Sequence, residues 1–115
     1  MADASWKNFN LAELIAKSEQ RGSPYLEFLR VPQLSCGLYR LGTQARDTQS
    51  AHDEDEVYFV IKGRARVVIG GQETAIRPGS ILYVPADTDH EFIEIEEDLS
   101  LLVLFGSGGP SGAEV

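Results

Sequence analysis

Between residues 25 and 105 the apolar residues come in short runs separated by turn-forming residues, a pattern that predicts β-strands. The runs fall at 25–31, 34–41, 57–61, 65–69, 74–76, 81–84, 91–95 and 99–105. Between them stand Pro32, Gly42, Lys62-Gly63, Gly70-Gly71, Pro78-Gly79, Pro85 and Glu97-Asp98, each read as a break between strands. Gly70-Gly71 suits a two-residue hairpin, because glycine tolerates the positive φ that such turns require. Pro78-Gly79 suits a type II turn, with proline at the second position and glycine at the third. Many short strands at regular spacing predict an all-β sandwich or barrel. No helical pattern alternates with the strands, which argues against a parallel βαβ sheet.

Ahead of this region the apolar period changes to that of a helix. Asn10 is placed as an N-cap with Glu13 three residues on, and Leu11, Leu14 and Ile15 form one stripe. Phe9 and Leu14 are spaced as a hydrophobic staple, and Gly22, Ser23 and Pro24 end the helix. The expected organisation is a helical extension over residues 1–24, a barrel over 25–106 and a disordered tail over 107–115, which is rich in glycine and has almost nothing to bury.

Composition narrows the function. The chain has 115 residues, long enough for one domain with a real core, and 43% of them are hydrophobic. Ten Lys and Arg against 18 Asp and Glu leave a net charge of −8, which argues against nucleic acid and against an anionic membrane surface. One cysteine cannot form an internal disulfide, and the opening MADASWK lacks the apolar core of a signal peptide, so the expected location is the cytoplasm. No apolar run is long enough to span a bilayer as a helix.

Candidate chemistry lies in two segments. In the first, His52 and Glu56 are four residues apart, so on an extended backbone they share a face with Ser50, Tyr58 and Val60. An imidazole and a carboxylate converging there make part of a divalent-metal site, while the acidic run Asp53–Glu56, taken alone, reads first as a solvated loop, since charge runs are usually surface. In the second, His90 opens a strand after the turn at residues 86–89, where it either points into a barrel mouth or sits exposed.

Together the segments resemble the two motifs of the cupin superfamily of small double-stranded β-helix barrels. The first motif runs His, one residue, His, three or four residues, Glu, six residues, Gly. His52 falls on the second His, and Glu56 and Gly63 fall in register. In the second motif Gly79, Pro85 and His90 fall in register, while Asp87 stands for the second Gly and Glu94 for the Asn. The first His of the family pair is Ser50 here. The resemblance implies a cupin barrel that holds a divalent metal ion through His52, Glu56 and His90. Two His and one carboxylate is also the ligand count of facial-triad non-haem Fe(II) sites. Gln49 is a weak fourth ligand if a bulge turns its amide inward; Ser50 has the right parity but a poor donor, and water or substrate is the simpler fourth group.

The implied activity is that of a metal-dependent enzyme on a small organic molecule, dioxygenase-like with Fe(II) first and isomerase or lyase second, with Mn, Ni, Co and Zn as other ions. The rival is a non-catalytic binding or sensing cupin, which the Ser50 departure favours. Tyr58, on the Glu56 face, is the candidate to move a proton. Tyr39 and Tyr83 read as proton donors or as barrel filling, Arg40 as a carboxylate ligand or an exposed strand residue, Cys36 as buried apolar packing, and Phe92 as pocket lining beside His90. Val57, Phe59 and Ile61 face away from Glu56 yet are apolar, so this strand needs cover on both faces. A second sheet or a partner would supply that cover, and the resemblance to cupins, which often form dimers, implies a homodimer.

Overall fold

The structure is a computed structural model, and it describes residues 6–47 and 53–106. The disordered tail expected at 107–115 lies outside the described residues.

Helix α1 covers Leu11–Arg21. Its first turn is capped by Asn10, whose side-chain oxygen accepts from the Glu13 N–H at 3.1 Å, and it stops at Gly22, which takes φ 70°. Leu14 and Ser18 are its buried residues. Phe9 meets Phe28 edge to face with ring centres 4.9 Å apart, which anchors the entry to the helix on the sheet.

Six strands follow: β1 (Tyr25–Val31), β2 (Leu34–Leu41), β3 (Asp55–Ile69), β4 (Gln72–Ile76), β5 (Ile81–Val84) and β6 (His90–Gly106). They pair antiparallel in the order β1-β2-β6-β3-β4, with β5 also on β3. Strands β3 and β6 run side by side along most of their length. The first half of β3 is flanked by β5 and the second half by β4, so β3 and β6 form the spine along which the sheet folds over.

Two expected breaks are absent. Lys62-Gly63 and Glu97-Asp98 are not turns; each lies within a single long strand, where the pairing of β3 with β6 slips between Val60 and Arg66. The glycine that looks like a turn residue makes a bulge instead. Gly63 has φ 101°, and a Cβ on it would stand 2.3 Å from the Asp98 carbonyl oxygen. A bulge bends a strand without ending it, so two predicted strands become one bent strand at this corner. The other turns follow expectation. Gly70 and Gly71 both take positive φ between the paired residues Ile69 and Gln72, and Gly79 has φ 94° in a turn closed by Ser80 N–H to the Arg77 carbonyl.

Strand alternation divides the apolar residues. One cluster fills the inside of the folded sheet and includes Tyr39, Leu41, Tyr58, Val60, Val67, Phe92, Leu101 and Val103. The second lies outside, where Leu14 of α1 packs on Leu26 and Leu38, with Phe28 and Ile61 beside them. The helix thus covers part of the outer face of a strand that is apolar on both sides. The rest stays open: Phe59 is 37% exposed, Tyr83 60% and Ile81 68%. Among the described residues no helix is long and apolar enough to cross a membrane.

Candidate functional site

Glu56 and Tyr58 occupy alternate positions of β3 and therefore point to one side, into the fold. His90 begins β6 and meets them from the facing part of the spine. All three are buried, with Glu56 at 1% and Tyr58 at 0% exposure. The Tyr58 hydroxyl donates to Glu56 Oε1 at 2.5 Å and lies 3.1 Å from His90 Nε2. His90 Nε2 and Glu56 Oε1 are 3.5 Å apart.

The other ring nitrogen fixes which tautomer a neutral His90 adopts. Nδ1 lies 3.0 Å from the Thr88 carbonyl oxygen, which can only accept, so Nδ1 carries a hydrogen. A neutral ring then turns its Nε2 lone pair toward Glu56 and Tyr58. A charged ring instead donates through Nε2, completing a chain from His90 to Tyr58 to Glu56. The Glu56 carboxylate holds the imidazole above its ordinary value, with Thr88 helping and burial opposing.

A further buried carboxylate tightens the site. Asp47, after β2, accepts from the Tyr39 hydroxyl at 3.0 Å and from the Phe92 backbone N–H at 2.8 Å. Phe92 in turn meets Tyr58 edge to face at 5.2 Å between ring centres. Asp47 thereby ties the chain after β2 to the strand that carries His90. Burial, reinforced by Asp47, raises the Tyr39 phenol, which stays a hydrogen-bond donor.

Tyr25 lies diagonally over Gly37, where any Cβ would meet its ring and hydroxyl within 2.4 Å. It packs edge-on to Tyr39 and Phe105, and its buried hydroxyl has no hydrogen-bond partner among the described residues. Burial pushes this phenol up to about 12. Neither Asp47 nor Tyr25 was singled out from the sequence. Asp47 acts on residues far along the chain, and the one available signal for Tyr25 was a glycine in the middle of a strand, which marks close approach by another group.

The remaining candidates divide clearly. His52, Gln49 and Ser50 lie outside the described residues. Among the described residues no three His, Cys, Asp or Glu side chains gather as a metal cluster. Tyr83 is exposed, away from Glu56, and Cys36 is buried as apolar packing. Arg40 points to the outer face, opposite Tyr39 and Leu41.

A family model described as Cupin domain matches residues 37–105. The chain belongs to the cupin family. An uncharacterized protein of Streptomyces coelicolor is 46% identical over 99 residues, 86% of this chain and 94% of its own length. Among solved structures, an RmlC-like cupin of Shewanella frigidimarina superposes with a TM-score of 0.67 at 19% identity, covering 72% of this chain and 74% of that one. KdgF of a Halomonas species gives 0.66 at 23% identity, covering 72% and 76%. At these identities the likeness establishes the cupin β-barrel fold. Two departures from the cupin motifs now have a structural description. Asp87 and Glu94, which replace the family's Gly and Asn, are the two non-glycine residues with positive φ among the described residues, at 61° and 48°.

Proposed function

We propose that this cupin binds a divalent metal ion at Glu56 and His90, with His52 as third ligand, and acts as an enzyme on a small organic molecule. The observation that carries the reading is the orientation of His90. Its Nδ1–H is committed to the Thr88 carbonyl, which leaves Nε2 as the donor atom facing Glu56. Metal-ligating histidines are held in this way by an acceptor behind the ring. The 3.5 Å between Nε2 and Oε1 also suits two ligands of one ion, since metal–ligand bonds near 2.0–2.2 Å put neighbouring donors about 3–3.5 Å apart.

The chemistry the ion would supply is activation of O₂ or polarisation of a carbonyl or hydroxyl. Fe(II) and dioxygenase-like chemistry come first in this proposal, isomerase or lyase chemistry second, and Mn, Ni, Co and Zn are the other ions. The protein's own part is clearer. Glu56 and His90 are buried, so their donor atoms are shielded from bulk water. Tyr58 touches both donor atoms and is the group that gives a proton to, or takes one from, a bound molecule. Phe92, Val103 and Phe105 belong to the same interior cluster and would offer apolar surface to the uncharged part of that molecule.

A second reading, a non-catalytic sensing cupin, draws support from Ser50 in place of the family's first histidine. Protein purified without chelator, assayed for metal, reconstituted anaerobically with Fe(II) and screened for O₂ uptake separates the readings. Bound metal with turnover supports the enzyme, and bound metal with no turnover across a broad compound set favours the sensor. Failure to bind any of Fe, Mn, Ni, Co or Zn removes the metal proposal. The homodimer of this proposal uses the open outer face, where Phe59 pairs with Ile81 and Val57 with Tyr83. Light scattering at several concentrations tests it, and a monomer at all of them overturns it.

A further inference from the structure

The outer face carries a second polar arrangement, independent of the interior. Arg40 of β2 is the register partner of Ser100 of β6, and Ser100 is also the partner of Lys62 of β3. Two cations therefore flank one serine in a row across three strands. Adjacent strands lie about 4.8 Å apart, so the backbones of the two cations are about 10 Å apart with only a small side chain between. The C-terminal half of α1 and the segment after it lean over this row and line one side of an open cavity of about 430 Å³. That volume falls within the range of about 300–1,000 Å³ common for small-molecule sites.

Arg40 is held in position. Its Nε donates to the Ser18 hydroxyl at 2.9 Å, and Ser18 is fully buried in the helix interface. This fixes the guanidinium while leaving its terminal nitrogens for another partner. Among the described residues neither Arg40 nor Lys62 has a carboxylate within ion-pair distance, whereas Arg30, Arg64 and Arg66 pair with Glu27, Glu97 and Glu73. Asp98 and Glu19 also line the cavity, but Asp98 Oδ1 accepts from the Thr43 N–H at 3.1 Å and Glu19 is exposed on the helix. These two acids balance the two cations, so the cavity has no spare positive charge to offset the second charge of a multiply charged anion. Ile15 and Ile61 supply an apolar wall.

We propose that this cavity binds a small organic monocarboxylate, with its carboxylate on the Arg40–Ser100–Lys62 row and a short aliphatic part against Ile15 and Ile61. The inference does not depend on the metal reading, because Arg40 and Glu56 lie on opposite faces of the sheet.

The test is an amide chemical-shift titration of the full chain with hexanoate, with hexylamine and inorganic phosphate as comparison probes. Saturable shifts with hexanoate, centred on residues 15–24, 40–42 and 98–100, are expected. Lys62→Met and Arg40→Gln should each weaken hexanoate binding on the order of tenfold, the loss of one charge-assisted hydrogen bond. Ser18→Ala should weaken it less, because the charge stays and only its anchoring is lost. Lys62 is exposed, so Lys62→Met keeps the test valid even if Arg40→Gln loosens the helix. No saturable shift with hexanoate, equal binding by Lys62→Met, or preferential binding of hexylamine or phosphate would each overturn the proposal.

Discussion

Nε2 of His90 and Oε1 of Glu56 stand 3.5 Å apart, with the hydroxyl of Tyr58 in contact with both. The phenol either bridges the two groups or leaves one to serve a bound molecule, so its removal separates holding a metal from moving a proton. In Tyr58→Phe the ring still packs on Phe92, and the fold should persist. Two buried groups lose a hydrogen-bond partner, at a cost of about 1–3 kcal/mol. Metal content should stay near the wild-type value, while turnover of any identified substrate falls in kcat more than in KM. Metal analysis beside denaturant melts reads both, and loss of metal in this variant would make the phenol a ligand instead.

The raised imidazole of His90 gives a pH dependence of definite sign. In the metal-free protein the folded-state value lies above the ordinary 6.5, chiefly through Glu56. The folded state then binds the proton more tightly than the unfolded chain does. The associated stability is present in full below the unfolded value near 6.5 and is lost as pH rises through the folded one. Metal competes with that same proton, so metal affinity should climb over the same rise in pH. Urea melts of metal-free protein and of His90→Asn across this range check the first point. A wild-type minus variant difference that grows with pH would refute it.

Much of this was legible in the chain because the deciding interactions are local. Asn10 and Gly22 mark the ends of α1, Gly70-Gly71 marks the β3–β4 turn, and strand alternation alone puts Glu56 and Tyr58 on one side. What was not legible depends on register between distant strands. Gly63 carries the same local signature as a turn glycine, and only the closeness of Asp98 makes it a bulge. Asp47 gains its role from Tyr39 and Phe92, and Arg40 from Ser18, Ser100 and Lys62, contacts that no local pattern encodes.

Gly63→Ala tests the corner between β3 and β6. The added methyl would lie 2.3 Å from the Asp98 carbonyl oxygen and 2.7 Å from Leu99 Cα, at a φ of 101° that alanine disfavours. Overpacking against backbone and the left-handed conformation each cost about 1–3 kcal/mol, so a loss of about 3 kcal/mol or more is expected. Because the corner sets how the two halves of the spine face one another, metal binding should weaken as well. A stability within about 0.5 kcal/mol of wild type, the range of ordinary surface changes, would mean the bulge relaxes freely.

Asp87 tests whether the turn that delivers His90 is strained. It holds φ 61° at the position where the cupin motif has glycine, and its neighbour Thr88 supplies the carbonyl that orients the His90 ring. Aspartate is tolerated there better than most residues, since its short polar side chain bonds locally, but glycine has no Cβ to crowd. Asp87→Gly should therefore be neutral to stabilising by up to about 1 kcal/mol, the gain in the folded turn being partly offset by a more flexible unfolded chain. Asp87→Val, β-branched at a positive φ, should cost about 1–3 kcal/mol. The two variants should also divide in metal affinity, with valine lowering it because a shifted turn moves the Thr88 carbonyl away from Nδ1. Denaturant melts with and without added metal measure both effects. Equal metal affinity in the two variants, with unequal stability, would show that the His90 ring is held by Glu56 and Tyr58 alone.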